Sequence, residues 1–213
     1  MEDKMLDLNK FFVEVHDNSD KHGWWETERS VGEILSLIHS EWSEALEEYR
    51  AGRPNVWHKC EAPIEYGSCC ENGGGVCGKP VCEYALAKDF RNPKPEGVAV
   101  ELIDGVIRIF DFIGAIGGQL NEESTIEELL EHMPDDRKAE CETPVPVFVC
   151  ILHFITSEAF KQPDVETTGA VLMTAAAMVM YWVRENGLDP EKLMLEKHEY
   201  NKGRPYKHGN KVC

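Results

Sequence analysis

Acidic side chains recur at helical spacing in two stretches of this 213-residue chain. Glu41, Glu44 and Glu48 stand at i, i+3 and i+7, so on a helix they lie within about 60° of one another. Leu35, Ile38, Trp42, Ala45, Leu46 and Tyr49 form the adjoining apolar face. Taken alone, three like charges on one flank also fit a solvated acidic surface. The second stretch narrows the choice. Glu101, Asp104, Arg108 and Asp111 make one stripe, about 80° wide, on a cylinder otherwise built from residues such as Val98, Leu102, Ile103, Val106, Ile109, Phe110 and Ile113. A helix apolar around most of its circumference is predicted to be buried, and a buried carboxylate needs a partner. Arg108 could serve Asp104 or Asp111 as an ion pair, but one guanidinium cannot neutralise every acid present. Glu41 and Glu44 set opposite Glu101 and Asp104 would form an oxygen-lined cage, which suits Mg²⁺ or Mn²⁺. Magnesium completes its shell with water and phosphate oxygens, so the expected chemistry is at a phosphate.

A phosphate group needs positive charge nearby, and the C-terminal block supplies it. Lys192, Lys197, Lys202, Arg204, Lys207 and Lys211 oppose only Glu196 and Glu199 there. Lys197, Asn201 and Arg204, at i, i+4 and i+7, could share one helical face and meet a triphosphate tail. A frayed basic tail is the plainer reading of the same residues. Trp24 and Trp25 could stack on a nucleobase or could equally be core residues. His39 lies beside the acidic stripe, and no Glu-x-x-His pair occurs, which counts against a carboxylate di-iron centre.

Helical periodicity positions these groups. A first helix is expected from Leu6 to about Asp17, broken near His22 and Gly23, and a second from about Ser30 to Arg50, with Ser30 and Glu33 as a capping box. Gly52 and Pro54 close it. Residues 52–95 read as an irregular insertion, with weak strand signals and three consecutive glycines, Gly73 to Gly75. Pro95 is predicted to open the apolar helix that runs to about Gly117. A short surface helix follows within Glu122 to Glu131, then apolar helices near Val145 to Phe160 and Asp164 to Asn186. Asp189-Pro190 starts the last helix. The fold class is therefore all-α, a single domain spanning 1–213 that carries the insertion and, across 119–188, added helices.

Composition sets outer limits. With 22 Lys+Arg, 39 Asp+Glu and a formal net charge of −17, the chain is poorly suited to grip a nucleic-acid backbone or an anionic membrane. No targeting segment or membrane-length apolar run is visible, so a cytoplasmic protein with reduced thiols is expected. Five of the 8 cysteines, Cys60, Cys69, Cys70, Cys77 and Cys82, crowd the insertion together with His58. Four thiolates such as Cys60, Cys69, Cys77 and Cys82 could hold a structural Zn²⁺. Their spacing lacks a CxxC knuckle, and unliganded thiols or an oxidised pair fit it as well. Cys150 reads as a buried thiol.

These residues together resemble a known pattern. Glu41-Trp42-Ser43-Glu44, followed by Glu101-Leu102-Ile103-Asp104, is similar to the ExxE…ExxD signature of the MazG-like all-α nucleoside triphosphate pyrophosphohydrolases. The segments Leu35 to Arg53, Val98 to Gly117 and Lys197 to Lys211 resemble that family's blocks in order, and His22 to Ser30 resembles its approach to the first motif. The resemblance implies a four-helix-bundle-type core that completes itself as a homodimer or higher homo-oligomer. It implies Mg²⁺-dependent hydrolysis of a standard or modified nucleoside triphosphate to the monophosphate and pyrophosphate. Glu41, Glu44, Glu101 and Asp104 would be the metal ligands, with Glu48 a further acid of the catalytic group. Lys197, Asn201, Arg204, Lys211 and Trp25 would bind substrate. Narrower hydrolysis of dUTP or dCTP is the alternative within the class. A non-catalytic helical binding protein with a zinc-stabilised insertion is the alternative outside it. The long insertion and the added helices depart from the family's pattern.

Overall fold

A computed structural model of the chain describes residues 5–59, 94–120 and 124–207. It is predominantly helical. In chain order the elements are α1 (Leu8–Lys21), α2 (Val31–Arg50), β1 (Trp57–Lys59), β2 (Lys94–Glu96), α3 (Val98–Ala115), α4 (Ile126–Glu131), α5 (Asp135–Cys141), α6 (Val145–Ala159), α7 (Val165–Glu185) and α8 (Pro190–Lys202). No helix among the described residues is long and apolar enough to cross a membrane.

Local chemistry sets most helix starts. Ser30 and Glu33 make the expected reciprocal capping box at α2, and Thr125 with Glu128 makes another at α4. The side chains of Asp164 and Asp189 accept backbone N–H groups at the starts of α7 and α8. These caps satisfy donors that a helix cannot satisfy internally.

The apolar helix α3 is the axis of the molecule. Every residue from Val98 to Ile107 is buried, and α1, α2, α7 and α8 all pack on it. The next layer is α6, which packs against α2 and α7. Close approach of α2 to α3 requires Gly105, because a Cβ there would collide with the ring of Trp42. Trp42 is fully buried and donates its indole N–H to Thr156 Oγ1 at 3.0 Å, tying α2 to α6.

Three expectations change. The first is Pro95, which lies within β2 rather than opening α3; β1 and β2 pair antiparallel, with His58 opposite Pro95 and Trp57 opposite Glu96. A two-stranded ribbon tolerates proline because each strand is an edge with donors to spare. Gly97 makes the turn into α3 at φ 117°, where a side chain would strike the carbonyl oxygens of Pro54 and Asn55. The second is α5, whose seven residues, five of them charged, carry no apolar period to betray a helix. The third is Cys150, which is exposed. Lys211 and the clustered cysteines Cys60, Cys69, Cys70, Cys77 and Cys82 lie outside the described residues.

Candidate metal centre

The seam between α2 and α3 brings three of the predicted ligands together. Glu41, Glu101 and Asp104 are all buried, and one carboxylate oxygen from each lies within 4.8 Å of the others. Glu101 and Asp104 are presented by consecutive turns of α3, and Glu41 comes from α2 on the flank beside Trp42. The other acids of the α2 stripe diverge. Glu44 is exposed and outside the triad, although its charge still adds to the forces on Glu41. Glu48 is taken up on both oxygens, by the Trp57 indole N–H at 2.7 Å and by Arg53 at 3.0 Å.

Positive charge reaches the triad from two directions. Arg108 donates its Nε–H to Glu41 Oε1 across the helix seam, rather than pairing with Asp104 or Asp111 along its own helix. From α8, Lys197 enters the core at 1% exposure. Its Nζ lies 3.4 Å from Asp104 Oδ2 and 3.6 Å from Glu101 Oε2. Asn201, one turn further on, donates to Asp104 Oδ1 at 3.2 Å. Arg204 stands beyond the end of α8 at Lys202, so it does not continue the Lys197–Asn201 face as a helical residue, although it lines the same cleft.

Glu101 is the unmet demand in this arrangement. Neither of its oxygens accepts a hydrogen bond from the described residues. Its neighbour Glu96, from β2, is also buried and is held by Lys94 at 2.6 Å. Glu96 can share a proton with Glu101 but offers no donor once both are ionised. Burial pushes the Glu101 carboxyl up to about 9 and Glu41 up to about 7, the latter against the pull of Arg108. Burial would raise Asp104 too, but Lys197 and Arg108, with the Asn201 hydrogen bond, hold it below the ordinary aspartate range. Lys197 is buried, yet the carboxylates around it hold its pKa above the usual lysine value.

A cleft opens at Asp104, lined also by Asn18, Ser19, His22, Trp24, Arg29, Arg108, Asp111, Asn201 and Arg204 among others. Trp24 faces this cleft, and Trp25 does not line it. The Trp25 indole N–H is anchored on Asp111 Oδ1 at 2.9 Å. Asp111 also receives Ser19 Oγ–H at 2.7 Å and lies 3.0 Å from His16 Nδ1. The fourth polar residue of the α3 stripe therefore fixes the cleft wall rather than joining the acids. Arg29 lies 5.7 Å from the ring centres of both tryptophans.

Sequence reasoning missed Glu96, because it sat inside what read as irregular insertion. It also missed Asn18, Ser19, His22 and Arg29 as cleft residues; their only signal was the polar side of α1 and the segment leading to α2. His58 lies 2.6 Å from Glu196 Oε1, so the ribbon is latched to α8 just where Lys197 leaves it.

The donor set fits a hard divalent cation: three clustered carboxylates, all oxygen, one of them without a hydrogen-bond partner. No protein-family model, curated protein or solved structure matches this chain. The meaning of the site therefore rests on its own chemistry.

Proposed function

We propose that the protein is a Mg²⁺-dependent hydrolase that converts a nucleoside triphosphate to the monophosphate and pyrophosphate. The observation that carries this reading is the buried Glu41–Glu101–Asp104 triad, with Glu101 lacking a hydrogen bond, Lys197 beside it, and Asp104 lining a polar cleft. Glu41, Glu101 and Asp104 would hold the cation, with exposed Glu44 at the margin. Bound Mg²⁺, or Mn²⁺ in its place, would supply neutralisation of the charge that builds on the phosphate oxygens during hydrolysis.

The chain's own residues account for the remaining needs. Arg204 and Asn201 stand where a phosphate tail entering the cleft would meet donors, and Lys197 adds a fixed positive charge behind them. Trp24 offers an aromatic wall within the cleft, and Trp25 braces it through Asp111. Arg108 holds Glu41 through Oε1, and a carboxylate of the triad would accept the proton of an attacking water. Burial of the acids in a low-dielectric seam strengthens each of these charge effects.

The test is pyrophosphate release from a panel of NTPs and dNTPs, dUTP and dCTP included, with Mg²⁺ present. Turnover of at least one nucleotide is expected, and the panel separates a broad enzyme from a dUTP- or dCTP-specific one. No turnover of any nucleotide, with Mg²⁺ binding intact, overturns the reading and leaves the site as a binding centre only.

A further inference from the structure

We propose that His22 is the positioning residue of Arg204: its ring clamps the segment after α8 onto the end of α1 and so sets the Arg204 guanidinium in the cleft. The inference rests on the proposed function in one respect, that Arg204 is there to meet a phosphate group.

The need for a clamp comes from where α8 stops. The helix ends at Lys202 with Gly203 as its cap, so Arg204 stands outside the helical ladder. Its backbone N–H reaches back to Asn201 O at 3.2 Å. It nevertheless lines the cleft with Asp104, Arg108 and Asn201. A long side chain on a segment just past a helix end samples many positions, and a ligand that fixes it loses affinity to that entropy.

His22 supplies the hold. It caps the C-terminal end of α1, and its two ring nitrogens face in two directions. Nδ1 lies 2.7 Å from Asn18 O, in the last turn of α1, and Nε2 lies 2.9 Å from Arg204 O, two residues beyond α8. A carbonyl oxygen only accepts, so each contact is a hydrogen bond when that ring nitrogen carries a hydrogen. An imidazolium makes both at once; a neutral ring makes one and turns a lone pair on the other carbonyl. Helix C-terminal ends present carbonyls in want of donors, which suits a ring that donates twice.

Further contacts fix the same segment to the same stretch of chain. Lys207 N–H donates to His22 O at 3.0 Å. The Tyr206 hydroxyl donates to Glu26 Oε1 at 2.5 Å, and Lys207 Nζ to Glu26 Oε2 at 3.0 Å. Tyr206 also packs on Gly23, so closely that a Cβ there would collide with its ring. Lys207 sits at φ 42°, a left-handed conformation that a lysine keeps where its surroundings hold it. Glu26 and Tyr206 are exposed and His22 is half-buried, so the ring's bonds are the better shielded from water and should count for more.

Inorganic pyrophosphate is the probe, because it carries the phosphate chemistry without base or sugar. Titration calorimetry of the full chain with Mg²⁺ present reads its affinity. Arg204→Ala should weaken binding about 10-fold, and His22→Ala by a similar factor. The two losses should not add. With the Arg204 side chain gone His22 has nothing left to position, so the double variant should bind no more weakly than Arg204→Ala alone. That substitution keeps the backbone carbonyl, so the clamp itself survives it. Glu26→Ala, at an exposed position where folding is not at stake, should cost about 3-fold by itself and nothing in the Arg204→Ala background, and it carries the test if His22→Ala does not fold. Losses that add would assign these residues to folding or to direct phosphate contact and overturn the proposal. Wild-type affinity in both His22→Ala and Glu26→Ala overturns it too, as does a wild type that binds no pyrophosphate. Non-additive losses in a protein that turns over no nucleotide would sink the proposed function and leave the clamp standing. Nucleotide turnover with additive losses would do the reverse.

Discussion

Helix α2 has two seams, and they are built on opposite terms. Towards α6 its polar groups are closed off: Trp42 is matched by Thr156, and His39 by His153. Towards α3 the polar demand stays open, with Glu101 unsatisfied, Glu41 pushed up to about 7, and a lysine drawn into the core. A seam that serves only packing leaves nothing buried and unmet, because each orphan costs stability. Open demand at the other seam is what a site for a charged ligand would require, and the proposed function puts the chemistry at the α2–α3 seam.

The sharpest way to break this contrast is at the open seam. Asp104→Asn should lower pyrophosphate release by about 10³-fold while the protein stays folded, read as kcat at saturating Mg²⁺. A variant that keeps full activity would remove the α3 acids from the chemistry.

Next in size is the linkage between pH and the cation. Glu41 and Glu101 have folded pKa values raised to about 7 and about 9. Without metal they favour the fold fully below about pH 4.5, and that contribution is lost as pH climbs through those raised values. The melting temperature of the metal-free protein should therefore fall from pH 5 to 9, and the gain on adding Mg²⁺ should grow over the same range. Glu101→Gln should raise the metal-free melting temperature at pH 8 and shrink the Mg²⁺ gain, since it removes a buried carboxyl that must take up a proton on folding at that pH. Scanning fluorimetry across pH checks both.

Gly105→Ala probes what holds the working seam at its spacing. A methyl group forced against the Trp42 ring should cost up to about 3 kcal/mol and weaken Mg²⁺ binding as Glu41 is displaced. The smallest effect belongs to the closed seam. Thr156→Val strands the Trp42 indole N–H and should cost about 1–2 kcal/mol in denaturant unfolding, with kcat unchanged. A loss of activity there larger than the loss of stability would erase the distinction between the two seams.

Legibility in the sequence followed the range of the forces involved. Ser30–Glu33 and Asp189 act within one turn, so the starts of α2 and α8 could be read from neighbours along the chain. The stripe Glu101, Asp104, Arg108, Asp111 is a helical periodicity and was equally visible. Partner choice was not. Whether Arg108 would turn to its own helix or across to Glu41 depends on how far α2 stands from α3, which Gly105 and Trp42 set together. Glu44 and Glu48 had the same spacing credentials as Glu41, yet one faces solvent and the other is held by Trp57 and Arg53. Pro95 read as a helix start because its pairing partner, His58, is distant in sequence.

By itself, then, the sequence determined that the protein is all-α, where most of its helices begin and end, and that two helices carry acids at cation-binding intervals. Those features depend on contacts a few residues apart. The tertiary structure decided which acids meet, that Lys197 is buried against them, and that Glu96 and Trp24 belong to the site while Trp25 is bound to its wall. It also set His22 between the ends of α1 and α8. Each of these is settled by packing between segments far apart in the chain, where close approach and desolvation, rather than local spacing, determine the partner of each side chain.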